Sequence, residues 1–274
     1  MRCLGRLACV GFLLAGFSIS AAGLACASAW TQAEGEGMAI VTTARRVAPV
    51  GALTGGPISS DTNISQIYLE YGLFDGLTIG AKSYIELSTT DLNGSSAALG
   101  GFVRKRVWQD GQGGVGSVQA GYAHPIESLL GSVFALSEGG AVPEAHLAGL
   151  YGRGWADTAE NRWGSAFIST GAAYHLRGRG AADDLRFELT GGYAPWRRFM
   201  GIVSLYGLAP LGEGTSASLK IAPSIAYTMW PWVTRNEKKP TGPVKPNTIQ
   251  LGVSYDLLNQ NDGLGLSLSI WRRF

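Results

Sequence analysis

Eight polar residues stand opposite apolar ones on alternating stretches of this chain: Glu70, Lys82, Glu86, Arg104, Arg186, Glu188, Lys220 and Gln250. Gathered on one face, such residues can do one of two things. They can line a water-filled path and tune which solutes pass, or they can pair with one another and fill an interior. Other chemistry is thinly represented. His124, His146 and His175 are the only histidines, no His-x-Ser motif accompanies them, and each reads as an interfacial or loop residue. The carboxylate pairs Glu34/Glu36 and Asp183/Asp184 fall in loops, where solvated charge is the ordinary role. No glycine loop follows a strand and opens a helix, so the glycines read as strand packing and turns rather than a phosphate cradle.

The elements that must position these residues are strands. Ile67, Leu69, Tyr71 and Leu73 alternate with Gln66, Tyr68 and Glu70. Ile79, Ala81, Ile85 and Leu87 oppose Thr78, Lys82, Tyr84 and Glu86, while Leu185, Phe187, Leu189 and Tyr193 oppose Arg186, Glu188, Thr190 and Gly192. A period of two puts the two sets on opposite faces of a strand. The pattern predicts twelve strands, at 38–47, 64–73, 77–88, 96–108, 115–124, 144–155, 162–176, 184–194, 199–208, 216–228, 247–256 and 264–274. Asp75-Gly76 and Asp110-Gly-Gln-Gly-Gly114 mark tight turns. No useful helical period follows the first thirty residues.

Composition narrows the class. Forty of the 274 residues are glycine and only 15% are charged, against roughly 7% and 25% in average proteins. Mean hydropathy is nevertheless only +0.10, too low for a bundle of membrane helices. The first residues read as a cleaved secretory signal: Arg2 and Arg6 form a basic start, Leu7–Leu24 is apolar or small, and Ala27-Ser-Ala29 is an A-x-A site, so residues 1–29 leave and the mature chain begins at Trp30. All three cysteines (Cys3, Cys9, Cys26) lie in that signal, which removes disulfides and thiol chemistry from the mature protein. Loss of Arg2 and Arg6, with no acid among them, takes the formal charge from +2 to zero, so no basic excess argues for nucleic acid. No later apolar run reaches the ~20 residues of a membrane helix.

The last eleven residues decide the expected setting. Leu264, Leu266, Leu268 and Ile270 share one parity, Gly265, Ser267 and Ser269 the other, and the sequence stops on Phe274. This ending resembles the C-terminal strand of Gram-negative outer-membrane β-barrels, in which a terminal Phe preceded by alternate apolar residues is the assembly signal. Leu266, Leu268, Ile270 and Phe274 match it; Arg272 departs from it. The start Ala29-Trp30 with Gly35-Glu-Gly37 also resembles that of a group of uncharacterised outer-membrane proteins. The resemblance implies an all-β fold, a transmembrane antiparallel up-and-down barrel of about twelve strands over residues 30–274. It implies residence in the cell outer membrane, with outer-membrane lipids, lipopolysaccharide, the barrel-assembly machinery and small solutes as partners. The expected role is a passive porin-like channel with no cofactor, no metal and no catalytic residue. The alternatives are a barrel enzyme acting on lipid or lipopolysaccharide, of the kind that pairs a His with a Ser or carboxylate, and a closed structural barrel. With both termini periplasmic, Trp30 and the seven others (Trp108, Trp155, Trp163, Trp196, Trp230, Trp232 and Trp271) fall on one rim, as expected of membrane-interface residues. The long segment Met229–Pro246 sits oddly on that rim, where turns are usually short.

Overall fold

A computed structural model describes residues 29–47, 62–88, 96–126, 142–155, 164–196, 198–212, 216–229, 245–258 and 264–274. The signal segment ahead of Ala29, Trp163, Trp230, Trp232 and most of the loops 125–143 and 229–246 lie outside the described residues. Twelve strands run β1 Gly37–Val47, β2 Thr62–Phe74, β3 Leu77–Ser88, β4 Ser96–Gln109, β5 Gly114–Pro125, β6 Glu144–Trp155, β7 Ser165–Arg177, β8 Asp184–Trp196, β9 Phe199–Pro210, β10 Ser218–Met229, β11 Asn247–Asp256 and β12 Leu264–Arg273. Each pairs antiparallel with its neighbours in sequence, and β1 closes on β12. The expected up-and-down barrel is therefore the fold, with the expected number of strands. Closure leaves every strand paired on both sides, so no edge needs covering.

The two faces are partitioned inside out relative to a soluble protein. Val41, Ile67, Leu69, Val103, Leu147, Leu189, Val203, Ile225, Leu251, Leu268 and Ile270 point outward and are exposed, whereas Glu70, Thr78, Arg104, His146, Ser169, Ser204, Thr248 and Ser269 point inward and are buried. Hydrocarbon around the barrel favours this arrangement and water does not. Leu251 and Leu268 face each other across β11 and β12. Arginine at Leu251 should therefore cost about 2–4 kcal/mol if it meets lipid at mid-height, and arginine at the inward Gln250 far less. Guanidinium unfolding in lipid vesicles measures both, and equal costs would place the outer face in water.

Three bulges interrupt the ladders, between Gly72 and Phe74, Arg106 and Trp108, and Tyr193 and Trp196. All three lie at the barrel end that holds both chain termini. A bulge inserts one residue and so flips the side chains after it. Without it, Phe74, Trp108 and Trp196 would share the inward parity of Glu70, Arg104 and Thr190. With it they point out, Trp108 stacking on Tyr151 at 6.2 Å and Trp196 meeting Phe199 edge-on at 6.5 Å. With Trp155 they form an aromatic belt around that end. Toward the opposite end the outward aromatics are Tyr122, Tyr174, Phe187 and Tyr255, with no tryptophan among the described ones.

Trp271 is not part of the belt. It pairs with Ile40 and Thr248, both inward residues, so it faces the lumen. Parity corrects the rim expectation here, because Trp271 shares the face of Ser267 and Ser269. Phe274 does stay outside: it exchanges backbone hydrogen bonds with Gly37 at 2.9 and 3.0 Å, and a side chain at Gly37 would collide with its ring.

Candidate functional site

The inner surface has two unlike walls. On the β2–β8 side, long polar side chains are locked together. Arg104 is 2% exposed and meets Glu70, 1% exposed, at 2.7 Å. Its remaining N–H groups are also used: Nε and Nη2 donate to Gln119 Oε1 at 3.0 and 2.8 Å, Nη2 to the Tyr68 hydroxyl at 3.1 Å, and Nη1 to the Trp30 carbonyl at 3.0 Å. Tyr68 donates in turn to Glu70, and the guanidinium lies over the Phe102 ring at 5.2 Å. From Gln119 the contacts continue to His146 at 3.1 Å, whose ring stacks on His175 at 5.1 Å. His175 lies 3.5 Å from Glu144, and Glu144 accepts from Arg186 at 2.9 Å. Arg186 ends the series on the fully buried Asp184, again at 2.9 Å. One polar chain thus runs from β2 to β8 around half the lumen.

The opposite wall, β9 to β12 with β1, carries many small groups. Thr42 meets Ser269 at 2.8 Å, Ser204 meets Thr190 at 2.8 Å, and Gln250 donates to Ser224 at 2.7 Å. Gly252, Ser254, Gly265 and Ser267 complete it. Tyr206, opposite Glu188 and Lys220, is an inward residue that nonetheless retains 43% of its exposure.

Residues 29–36 do not belong to the wall. They leave the rim beside Gly72, where Gly35 donates to the Gly72 carbonyl at 2.9 Å, and cross the lumen at the end that holds the termini. Gln32 donates from its backbone to Thr78 Oγ1 and from its amide to Glu70, both at 2.7 Å. Trp30 is held by Arg104, and Ser117 Oγ donates to the carbonyl of the fully buried Ala29 at 2.6 Å. The strap thereby touches β2, β3, β4 and β5 in turn. Its far side meets β6, because a side chain at Gly152 would come within 2.6 Å of the Trp30 ring and 2.8 Å of Ala29. A chain that starts at Trp30 keeps the Arg104, Thr78 and Glu70 contacts. The Trp30 indole itself sits in an apolar cup of Phe167, Met200, Ile202 and Ala226, flanked by Ala194 and Trp271, and meets the Phe167 ring edge-on at 6.5 Å.

No protein-family model matches this chain, and no curated protein does. Solved structures do. An outer membrane channel from Pseudomonas putida F1 superposes with a TM-score of 0.55 at 14% identity, over 90% of this chain and 98% of that one. The translocator domain of the autotransporter NalP from Neisseria meningitidis gives a TM-score of 0.48 at 10% identity, over 97% and 95%. The fold is that of the Gram-negative outer-membrane β-barrels.

Within this outer-membrane barrel fold the polar residues expected at the lumen do not form one group. Glu70, Arg104 and Arg186 are locked into the polar chain. Glu86 accepts from Tyr84 and lies 4.0 Å from Arg46. Gln250 belongs to the hydroxyl wall, and Lys220 is in register with Asp256, which accepts from Ser218 at 2.6 Å. Two remain. Lys82 lies in the field of Glu144 and Arg186 without an ion pair among the described residues. Glu188 accepts a 3.2 Å bond from Thr190 and likewise has no ion pair there.

Three expectations change. His146 and His175 are buried lumen residues rather than loop or interface ones, because they share the inward parity of Ala148 and Ala173; only His124 lies outside, 3.1 Å from the Tyr122 hydroxyl. Asp184 is not solvated loop charge but the buried anchor of Arg186. Its neighbour Asp183 does stay in the loop, where the Tyr174 hydroxyl and the Arg177 backbone N–H hold its carboxyl below its ordinary value. Trp30 is not at the rim but inside the lumen. Among the described residues no group of three or more His, Asp or Glu is placed to hold a metal.

Proposed function

We propose that this protein is a passive channel of the cell outer membrane for small solutes, narrowed at the end that holds its termini by the strap Trp30–Ala33. The observation that carries this reading is the small-residue wall of β9–β12 and β1, in front of which Tyr206 remains open to water. A barrel built only for rigidity would be served by side chains long enough to meet across the lumen. The path runs along the hydroxyls and ends at Trp30 and Trp271. The inward aim of His146 and His175 supports a channel over a lipid-acting enzyme, since a lipid substrate reaches the outer face. The protein reaches the membrane through the assembly machinery, which reads Leu266, Leu268, Ile270 and Phe274, and it rests there among lipids and lipopolysaccharide.

Current through a planar bilayer holding refolded Trp30–Phe274 tests the reading. Stable unitary steps are expected. A folded, inserted barrel that passes no current, even with the strap removed, leaves a closed structural barrel. Lys82→Glu and Glu188→Lys should move the reversal potential in opposite directions under a salt gradient, because neither charge has an ion partner among the described residues. Unchanged selectivity in both would place the path elsewhere.

A further inference from the structure

The Trp30 cup is an anomaly in a polar lumen. β7 contributes Phe167, β9 Met200 and Ile202, and β10 Ala226, each 7% exposed or less, where the same face elsewhere on these strands carries Ser169, Ser204 and Ser224. Trp271 closes one side, and its Nε1 is buried without an acceptor among the described residues. Four strands have therefore been given apolar side chains at one level only, to surround a single indole that belongs to none of them. That indole is tethered by the strap, and the strap is held by polar bonds that water can replace once it lifts.

We propose that the cup is a binding site for a small neutral aromatic solute, and that Trp30 is its built-in competitor. The inference rests on the channel reading for its consequence: a ring arriving along the hydroxyl wall exchanges with Trp30, the strap loses its apolar hold, and the constriction opens. The class of ligand follows from what the cup now holds. It is planar, about indole-sized and uncharged, because the residues of the cup offer an ion no counter-charge. A second indole-sized ring cannot enter while Trp30 is seated.

The probe is 5-fluoroindole, observed by fluorine NMR with refolded Trp30–Phe274 in detergent micelles. The wild-type chain should bind it weakly, and Trp30→Ala should bind it about tenfold or more tightly, as a tethered competitor at millimolar effective concentration is removed. Gly72→Ala, which crowds the strap at the Ala33 carbonyl and leaves the cup unaltered, should also tighten binding, and covers the case in which Trp30→Ala folds poorly. Ala226→Trp in the Trp30→Ala background fills the cup and should abolish binding. No binding to any variant, or equal binding to wild type and Trp30→Ala, overturns the proposal. Bilayer current with added indole separates this from the channel reading. Variants that conduct but neither bind nor respond to the ring sink the cup and keep the channel. Binding without current in any variant keeps the cup and sinks the channel.

Discussion

Arg104→Ala should destabilise the barrel by about 3–5 kcal/mol, the cost of leaving a buried partner charge uncompensated. Glu70 is the group left behind. It is 1% exposed, and without the guanidinium it retains, among the described residues, the Tyr68 hydroxyl and the Gln32 amide. The loss also spreads further than one pair. All five N–H groups of Arg104 are engaged, so Gln119, Tyr68 and the Trp30 carbonyl lose their donor together. Urea unfolding in lipid, followed by heat-shifted gel mobility, measures the cost. Glu70→Ala should cost a similar amount for the mirror reason. Exchanging both for methionine should recover much of it, because a buried pair replaced by apolar side chains is often neutral or better. Recovery would mean that the pair is kept for holding the strap rather than for stability. If Arg104→Ala costs under about 1 kcal/mol, the range of exposed pairs, the site is wetter than its geometry indicates.

Gly152→Val should widen the proposed channel without touching any polar anchor of the strap. A first carbon at this position already comes within 2.6 Å of the Trp30 ring, and the next atoms reach into it. Gly152 itself cannot give way, since it is pinned opposite Val115 and Ser169 in the ladders. The Trp30 ring must move, and it draws the strap with it. Conductance is expected to rise several-fold, with longer openings, while unfolding in urea changes little. Gly72→Ala is an independent version at the other end of the strap, where the new carbon would meet the Ala33 carbonyl at 2.0 Å. If both variants keep the wild-type conductance, the strap does not limit the current.

The barrel was legible because period two is a strong signal when one face meets hydrocarbon and the other does not. Leu251 and Ser254, or Leu189 and Glu188, declare their faces by type alone. The strands moved by only a few residues at their ends. The bulges were invisible, since one inserted residue at Trp108 or Trp196 leaves the composition of the strand unchanged while reversing its parity. Tryptophan position along the chain therefore placed Trp108 and Trp155 sensibly and misplaced Trp271, whose parity with Ser267 and Ser269 turns it inward. The strap was illegible for a different reason. Residues 29–36 make no regular pattern, and what defines them is a set of partners 38 to 88 residues away. The histidines failed likewise: His146 and His175 sit on strands among glycines and alanines, where neither face announces itself.

The strap is joined directly to β1, and β1 is the strand that meets β12. Thr42 reaches Ser269 across 227 positions of the chain, whereas the bond from Arg104 to the Trp30 carbonyl spans 74. Contacts this distant form late, after loop closure has been achieved elsewhere. The strap needs β2 to β5 in place before it has anything to grip, and it is carried inward by the strand that zips the seam. Sealing the wall and stoppering the bore are thus a single event in the history of the molecule. A barrel still open between β1 and β12 has its strap rooted on an edge strand, and closing that seam fixes the root in place.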